Sequence, residues 1–344
     1  MKIIITGGYG FIGSNFILKQ LKNKNIVLNI DKLTYAGNIN NLKSIKNNTN
    51  YSFINEDICN YKAINKIIND FSPDIVVHFA AESHVDRSID NPFPFVETNI
   101  LGTTSLLESC LKYCNNKNVD FKFIHISTDE VFGSLPNHGF FNESTPYDPS
   151  SPYSASKASS DHLVRAWHKT YNLPTIITNC SNNYGPYQFP EKLIPLIITN
   201  CIDGKTLPVY GNGENIRDWL YVEDHCNAID SVIKNGRVGE TYNIGGSNEI
   251  SNIDIVNAIC TLLDEYLPKK DSYSSLISYV EDRPGHDMRY AIDASKLKNE
   301  LNWVPKETFD SGIRKTIEWY LNNESWWRDI LNNNYNKQRL GLDL

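Results

Sequence analysis

Tyr153 and Lys157 are four positions apart in a stretch with helical periodicity, so both side chains would lie on one face of a helix. An ammonium group beside a phenol, with a second cation nearby, would favour the phenolate and lower the pKa of the tyrosine from about 10. Such a phenolate could take the proton from an alcohol while a hydride leaves the carbon. The same spacing occurs by chance in many helices, so the prediction depends on the residues that accompany the pair.

The run Thr128-Asp129-Glu130 follows an apolar stretch that predicts a strand. Thr128 could hydrogen-bond the reacting hydroxyl beside Tyr153, and two acids at the carboxyl end of a parallel strand lie where such sheets bind ligands. Because alcohol oxidation needs no carboxylate, the acids predict a further step. In it one carboxylate removes a carbon-bound proton and one protonated acid assists a leaving hydroxyl. The alternative is that Asp129 and Glu130 only cap the turn that follows.

Three glycines, Gly7, Gly10 and Gly13, follow the first apolar run and open a helical pattern. This spacing allows a tight turn and a close approach of the backbone to a pyrophosphate at a helix N-terminus. Asp31 ends the second apolar run, where an acid can accept hydrogen bonds from a ribose and disfavours a 2′-phosphate. The pattern therefore predicts NAD rather than NADP, against the alternative of a simple turn and a surface acid. Asp57 suits the adenine edge, although a helix N-cap is nearly as good an interpretation.

The first half of the chain alternates apolar runs with helical patterns. The predicted strands are 2–6, 26–30, 51–55, 74–79, 121–127 and 175–179, and the helical patterns between them include 61–71, 99–114 and 155–171. Continuous apolar strands separated by helices predict a parallel sheet covered on both faces. The fold class is therefore α/β, a doubly wound Rossmann-type sheet.

After about residue 182, short strands and Pro/Gly turns mix with helical patterns, which predicts a smaller mixed α/β lobe that binds the substrate. Those patterns are near 222–234, 253–266 and 311–322. The segment 222–243 is expected to return to the main sheet. The predicted division is 1–181 plus 222–244 for the NAD-binding domain, 182–221 plus 245–330 for the substrate lobe, and 331–344 for a weakly structured tail.

Composition excludes several classes of function. Hydrophobic residues make up 40% of the 344 and the net charge is −7, which favours a large core and argues against nucleic-acid or membrane-surface binding. Seven cysteines without CxxC pairs match neither a disulfide framework nor a zinc ribbon, so no metal site is predicted. With no signal-peptide pattern and no apolar run near the ~18 residues of a membrane span, a cytoplasmic location is expected.

Several motifs together resemble the nucleotide-sugar 4,6-dehydratases of the extended short-chain dehydrogenase/reductase superfamily. They are TGGYGFIGS at 6–14, DKLTYAGN at 31–38, FAAESHVDRS at 79–88, STDEVFG at 127–133, PYSASK at 152–157, NNYGP at 182–186, PEKLIP at 190–195 and DRPGHD at 282–287. The resemblance runs from Met1 to about Trp327, and Thr-Asp-Glu together with DRPGHD is its most specific part. Tyr9, where the family often has a small residue, is a departure that a loop position should tolerate.

The resemblance implies that NAD serves the elimination of water from a nucleoside-diphosphate glucose, giving a 4-keto-6-deoxy sugar. Tyr153 would deprotonate the 4-hydroxyl, Glu130 would remove the proton at sugar carbon 5, and Asp129 would protonate the departing 6-hydroxyl. Lys157 would orient the nicotinamide ribose and Tyr153. Hydride would return to carbon 6, so NAD would stay tightly held. A homodimer formed through the helices near 99–114 and 155–171 is also implied.

The resemblance also implies which residues contact the cofactor. Besides the three glycines, Tyr153 and Lys157, these are Phe11, Ile12, Asp31, Lys32, Leu33, Thr34, Asp57, Ile58, Phe79, Ala80, Ala81, Ser83, Thr98 and Asn183.

The substrate's diphosphate carries about two negative charges, and a guanidinium fork binds phosphate oxygens bidentately. Arg217 and Arg283 are therefore the predicted diphosphate ligands. Further positions that match the substrate side are Ser83, Thr128, Asn182, Lys192, Leu193, Pro208, Val209, Tyr210, Asn252, Asp282 and His286. No proton-transfer role is assigned to His84 or His286. The sequence does not separate dTDP-glucose from UDP-glucose, because the two bases differ by one methyl group.

Two other classes of function remain open from the sequence. A nucleotide-sugar 4-epimerase or a UDP-glucuronate decarboxylase would use the Tyr/Lys pair and NAD, but would not need Asp129 and Glu130 to eliminate water. A catalytically silent NAD-binding scaffold would be indicated by loss of Tyr153, Lys157 or the glycine loop, and all of these are present.

Overall fold

The computed structural model describes residues 1–117 and 120–333. Twelve strands lie in these residues: β1 (Lys2–Thr6), β2 (Ile26–Asp31), β3 (Tyr51–Asn55), β4 (Ile75–His78), β5 (Lys122–Thr128), β6 (Thr175–Cys180), β7 (Asn182–Tyr184), β8 (Leu207–Tyr210), β9 (Ile216–Tyr221), β10 (Thr241–Ile244), β11 (Glu249–Ser251) and β12 (Ile277–Val280). Seven of them form one parallel sheet in the order β10-β6-β5-β4-β1-β2-β3. The α/β doubly wound fold expected from the sequence is thereby confirmed.

The described helices are α1 (Phe11–Lys22), α2 (Tyr61–Phe71), α3 (Val85–Asp90), α4 (Phe93–Phe95), α5 (Thr103–Lys117), α6 (Pro152–Tyr171), α7 (Leu193–Asp203), α8 (Val222–Asn235), α9 (Asn252–Tyr266), α10 (Ser295–Leu301), α11 (Phe309–Asn322) and α12 (Glu324–Asn333). Short 3₁₀ turns span Ile39–Ile45, Asp129–Phe132 and Tyr273–Leu276, and a π-helical segment, Val96–Gly102, joins α4 to α5.

Both faces of the parallel sheet are covered, which explains why its central strand β1 is a continuous run of isoleucines. Ile3, Ile4 and Ile5 of β1 are all fully buried, although neighbouring side chains point to opposite faces. Ile3 and Ile5 pack with residues of α1 and α8, whereas Ile4 packs with residues of α2 and α5. The central strands therefore form the buried core of the domain, and the residues at their carboxyl ends can form a binding site.

A second, smaller unit follows β6 and has its own core. It contains the three-stranded sheet β11-β9-β7 and the two-stranded sheet β12-β8. Residues of α7, α9, α11 and α12 pack around these strands, with Trp327 and Tyr320 fully buried among them. Strand β10 lies outside this unit because it pairs in parallel with β6 at the edge of the main sheet.

Two sequence expectations about helices differ from the structure. The helix expected near 99–114 begins earlier, at Phe93, because Pro94 is accommodated in a first turn. The tail expected to be weakly structured from 331 is helical as far as Asn333, since Trp326, Trp327 and Ile330 anchor α12 in the second core. The remaining tail residues, 334–344, lie outside the described residues. Within the described part of the chain, no helix is long and apolar enough to cross a membrane.

Candidate active site

The carboxyl ends of the parallel strands open into a cleft made of two adjoining cavities. The first lies over the glycine loop, β2, β4 and β5, and the second lies between α3 and the smaller unit. Glu130 and Lys192 line both cavities, so the two spaces meet beside the Thr-Asp-Glu run. A ligand in one cavity can therefore react with a ligand in the other.

The glycine loop forms a cradle that side chains would fill. Gly7 has φ +71°, and a Cβ there would lie 2.7 Å from the backbone of Ala80. A Cβ on Gly13 would lie 2.3 Å from the carbonyl oxygen of Gly7. Gly10 caps α1 without a side-chain hydrogen bond, and the first turn of α1 contains no acid. The first N–H groups of α1 are thus available to an anion in the first cavity, an arrangement suited to a pyrophosphate.

Asp31 lines the first cavity, and two backbone N–H groups fix its carboxylate. Its Oδ2 accepts a hydrogen bond from Tyr9 N (2.9 Å) and its Oδ1 accepts one from Leu33 N (2.8 Å). Burial raises the pKa of Asp31, while these two hydrogen bonds oppose the rise. Because a carboxylate offers about four lone-pair sites, Asp31 can still accept bonds from ribose hydroxyls.

Asp57 lies in the turn after β3 between Glu56 and Ile58, which both line the first cavity. Its Oδ1 accepts a hydrogen bond from Cys59 N (2.8 Å), and its Oδ2 lies 3.4 Å from Lys32 Nζ. The interpretation of Asp57 as an N-cap is wrong, since Asn60 caps α2. Asp57 is also not among the residues that line the first cavity.

The start of α6 fixes the Tyr/Lys pair. Ser151 and Ser154 form a reciprocal capping box, with Pro152 in the first turn, so the helix begins before Tyr153. Tyr153 and Lys157 are both buried and line the first cavity. Lys157 Nζ donates a hydrogen bond to the carbonyl oxygen of Ile126 (2.9 Å).

The expected lowering of the pKa of Tyr153 is not present in the chain by itself. Burial raises the pKa of Tyr153 well above its ordinary value, and the charge of Glu130 adds to the rise. A hydrogen bond with Thr128 opposes it. The sequence expectation included a second cation beside the phenol, which the chain alone does not supply, so the lowered pKa stays a prediction for the NAD-bound protein. A further cation beside Tyr153 is needed for the phenolate to form.

The adjacent acids Asp129 and Glu130 occupy unlike environments. Asp129 is buried, and burial raises its pKa well above the ordinary value, with the charge of Glu130 adding to the rise. Its Oδ2 has no hydrogen-bond partner among the described residues. Burial also raises the pKa of Glu130, but Arg283, Lys192 and Arg217 oppose that rise. This arrangement suits a protonated acid next to a carboxylate that can act as a base.

Three cations surround the second cavity. Arg283 Nη1 donates to Asp86 Oδ1 (2.6 Å), and Lys192 Nζ donates to the carbonyl oxygen of Ser83 (3.0 Å). Arg217 donates to the carbonyl oxygen of Asp287 (2.8 Å) and lies 4.2 Å above the ring centre of Tyr290. Because backbone carbonyls are neutral, most of the positive charge of Arg217 and Lys192 remains available to an anion.

The structure brings most of the predicted site residues into the two cavities. The first is lined by Gly7, Gly10, Phe11, Ile12, Gly13, Asp31, Lys32, Thr34, Ile58, Phe79, Ala80, Ala81, Ser83, Thr98, Thr128, Asp129, Glu130, Tyr153, Lys157, Asn182, Asn183 and Lys192. The second is lined by Glu130, Asn182, Asn183, Lys192, Leu193, Pro208, Val209, Tyr210, Arg217, Asn252, Arg283 and His286. Three predicted residues, Leu33, Asp57 and Asp282, line neither cavity; Leu33 instead supports Asp31, and Asp282 accepts a hydrogen bond from His286 Nδ1 (2.6 Å).

Glu191 is the main site residue that was missed. Its Oε1 accepts a hydrogen bond from Tyr35 OH (2.9 Å), and its Oε2 accepts one from Arg87 Nε (3.1 Å). The guanidinium of Arg87 lies 3.8 Å above the ring centre of Tyr35. Glu191 lines both cavities. A signal existed, since Glu191 lies inside the PEKLIP motif and is an acid among apolar residues.

Comparisons with known proteins agree with this geometry. The family model described as GDP-mannose 4,6 dehydratase matches residues 4–316. A dTDP-glucose 4,6-dehydratase of Escherichia coli is 58% identical, with 99% of each chain covered. The dTDP-glucose 4,6-dehydratase of Bacillus anthracis, solved in complex with NAD, has a TM-score of 0.87 and 50% identity, covering 96% of this chain and 99% of that one. The chain belongs to the nucleotide-sugar 4,6-dehydratases of the extended short-chain dehydrogenase/reductase superfamily.

The same fold occurs in an enzyme with a different reaction. UDP-glucose 4-epimerase of Thermus thermophilus, solved with NAD, has a TM-score of 0.84 at 26% identity, covering 94% of this chain and 100% of that one. Overall architecture therefore does not separate the two reactions, and the site residues must do so.

The raised pKa of Asp129 predicts a pH-dependent effect of Asp129→Asn on stability. The folded state binds a proton more tightly here than the unfolded state, so this carboxyl makes the wild type less stable as the pH rises above its unfolded pKa. Asparagine lacks this penalty. The difference in unfolding free energy, variant minus wild type, should grow by up to about 1.4 kcal/mol per pH unit as the pH rises above about 4, the unfolded pKa of an aspartate. Urea unfolding at several pH values measures it.

The matched control is Asp70→Asn, which removes an exposed carboxylate paired with Lys66 on α2. Its effect on the unfolding free energy should vary little over the same pH range. A constant difference for Asp129→Asn would show that Asp129 ionises in the folded protein as it does in the unfolded chain.

Proposed function

We propose that this protein eliminates water from dTDP-glucose with the help of bound NAD, giving the 4-keto-6-deoxy sugar nucleotide. The observation that carries the proposal is the pair Asp129 and Glu130, which follow β5 and line the first cavity with Tyr153; burial raises the pKa of both carboxyls, but Arg283, Lys192 and Arg217 oppose the rise at Glu130. An enzyme that only oxidises and reduces carbon 4 has no use for such a pair. The thymidine nucleotide is supported by the relatives that are 58% identical, which are dTDP-glucose 4,6-dehydratases.

The first cavity suits NAD. The glycine cradle leaves room for a pyrophosphate at the start of α1, and Asp31 can accept hydrogen bonds from ribose hydroxyls. An acid at this position disfavours a 2′-phosphate, in agreement with the NAD named for the Bacillus anthracis structure. When bound, NAD supplies a hydride acceptor for the sugar and a positive charge near Tyr153.

In the proposed reaction, Tyr153 takes the proton of the sugar 4-hydroxyl while the hydride on carbon 4 leaves. Thr128 hydrogen-bonds the same oxygen, and Lys157 favours the phenolate. The resulting 4-ketone makes the hydrogen on carbon 5 acidic. Glu130 then removes that hydrogen as a proton, and Asp129 donates its proton to the departing 6-hydroxyl, so that one water is lost. The hydride returns to carbon 6, and a proton returns to carbon 5.

The second cavity suits the diphosphate and base of the substrate. Arg217, Arg283 and Lys192 supply the positive charge, and the backbone around Pro208–Tyr210 lines the far wall. Arg283 is held by Asp86, so its guanidinium is oriented before the substrate arrives. Binding a diphosphate here places the sugar at Glu130, where the two cavities meet.

A domain division is part of the proposal. The NAD-binding domain comprises 1–181 and 222–244, and the substrate lobe comprises 182–221 and 245–330. The pairing of β10 with β6 and the separate core of α7, α9, α11 and α12 support it. The seven cysteines, which all lie within the described residues, are free thiols, and this supports a cytoplasmic location.

A homodimer is proposed through the surface near α5 and α6. Three large apolar side chains on the segment leading into α5 are exposed: Phe93 by 81%, Val96 by 47% and Leu101 by 58%. A second copy of the chain would cover them. Light scattering should give about twice the 39.2 kDa of one chain. A mass near that of a single chain at micromolar concentration would remove the dimer from the proposal.

The test of the function is to incubate the purified protein, without added cofactor, separately with dTDP-glucose and UDP-glucose. Loss of one water, read by mass and by the ultraviolet absorbance of a 4-keto sugar in alkali, should be faster with dTDP-glucose. Tyr153→Phe should reduce turnover at least about 100-fold while NAD remains bound. Unchanged mass with both sugars would contradict the dehydratase and favour an epimerase.

The role of Glu130 predicts a specific defect in Glu130→Gln. Exchange of the hydrogen on sugar carbon 5 with deuterated solvent should slow by about 100-fold or more, because the amide cannot accept that proton. Reduction of the bound NAD by the substrate should persist, since oxidation at carbon 4 uses Tyr153. Mass spectrometry of the product and the absorbance of reduced NAD separate the two steps. Normal exchange at carbon 5 would assign the base to another residue.

A further inference from the structure

Besides the acids of the cleft, helix α6 carries a fully buried carboxylate, Asp161, one turn after Lys157. Its Oδ2 accepts hydrogen bonds from Ser127 Oγ (2.9 Å), Tyr147 OH (2.8 Å) and Asn179 Nδ2 (3.2 Å). Three donors from three different segments fix its orientation. The reaction steps described above do not use this carboxylate, although a buried charge is costly unless something compensates it.

The polar neighbours of Asp161 leave it negatively charged. His125 Nε2 lies 3.2 Å from Asp161 Oδ1, but burial and the charge of Lys157 lower the pKa of His125 to about 4, so the imidazole is neutral near pH 7. Arg165 contacts Tyr147 rather than Asp161, with Nη2 donating to the phenol oxygen (2.7 Å). Burial alone would raise the pKa of Asp161, yet the neighbouring His125, the charge of Lys157 and the hydrogen bond from Tyr147 outweigh that effect and lower it.

Lys157 is a buried cation that requires a nearby negative charge to stay protonated. Burial lowers the pKa of Lys157, and Asp161 opposes that shift more strongly than Cys180 does. His78 on β4 and His125 on β5 have pKa values lowered by burial, and burial raises the pKa of Cys180 on β6. These three side chains are therefore neutral near pH 7. Among the described groups that act on Lys157, Asp161 is the one that carries a negative charge.

We propose that Asp161 is a positioning residue that keeps Lys157 in its ammonium form beside Tyr153. It is a fixed counter-charge one turn after Lys157 on the same helix face, and it lines neither cavity. The inference rests on the proposed function, because it explains how Lys157 can favour the phenolate of Tyr153 when both side chains are buried. The i, i+4 spacing on α6 repeats that of Tyr153 and Lys157, so the three side chains form one row.

The test replaces Asp161 by asparagine, which keeps the size and can keep the three hydrogen bonds but removes the charge. The alkaline limb of the pH profile of kcat should move to lower pH by about one unit or more, because Lys157 then loses its proton more easily. The KM for dTDP-glucose should change little, since Asp161 does not line either cavity. A purely structural defect would lower the yield of folded enzyme without moving the limb.

A second readout does not depend on turnover. In protein with ¹³C-labelled lysine, the Cε signal of Lys157, assigned by its loss in Lys157→Met, should titrate about one unit lower or more in Asp161→Asn. Tyr147→Phe is the matched control: it removes one hydrogen bond to Asp161 but leaves the charge, so both readouts should stay near the wild type. Asp161→Ser removes the charge with a smaller side chain and serves if asparagine prevents folding.

The outcomes separate the two proposals. If the wild type does not dehydrate dTDP-glucose, the proposed function fails, and the titration of Lys157 still decides the role of Asp161. If the wild type turns over and neither the alkaline limb nor the Lys157 titration moves in a folded neutral variant, the inference about Asp161 is wrong. A shift of equal size in Tyr147→Phe would also overturn it, because the hydrogen-bond network rather than the charge would then be responsible.

Discussion

Where β5 ends and α6 begins, the chain holds several ionisable side chains out of water, and the other parts of the site follow from that fact. The parallel sheet makes this possible, since both of its faces are covered and its strand ends form a rigid edge. In such surroundings a charge without a partner is unstable. The position of each proton is therefore decided by which partner the fold supplies, more than by the intrinsic chemistry of the residue.

The two halves of the cleft are also tied together by a buried carboxylate. Glu191, which precedes α7, accepts hydrogen bonds from Tyr35 of the loop after β2 and from Arg87 of α3. These contacts join the segment that follows Asp31 to the smaller unit. In a reaction where a hydride leaves one ligand and later returns to it, the distance and orientation between the two cavities must stay constant. Small displacements of the two ligands strongly reduce the rate of hydride transfer.

Much of this molecule could be predicted from local patterns in the sequence. The apolar runs predict the first six strands of the chain, β1 to β6, to within one or two residues, because buried strands are rich in apolar side chains. The glycine loop and Asp31 were placed correctly in one cavity because turn chemistry and strand ends are local features. The start of α6 at Pro152 could have been recognised from Ser151 and the proline, a known cap pattern.

What could not be predicted depends on distance and burial. Arg87 and Glu191 are 104 positions apart, and no local pattern shows that they meet. Burial raises the pKa of Tyr153 in the chain alone, and a sequence does not show how completely a phenol is removed from water. The N-cap alternative for Asp57 was wrong because Asn60, three residues later, offers the same cap chemistry and caps α2. The order of α12 came from tryptophans that meet a core built by distant helices.

The contrast between Asp129 and Glu130 shows how covalent neighbours acquire opposite tasks. Thr128 Oγ1 accepts a hydrogen bond from Glu130 N (3.2 Å), which starts a tight 3₁₀ turn directly after the strand. The turn sends Asp129 inward, where its Oδ2 finds no partner among the described residues, and leaves Glu130 in the cleft near three cations. A buried carboxyl with one oxygen unpaired lowers the stability of the fold, so a sequence selected for stability alone would not keep it. Beside it, Glu130 lies near three cations that favour its carboxylate form. An acid next to a base is the physical reason to assign this site an elimination, in which one group must give a proton while the other takes one.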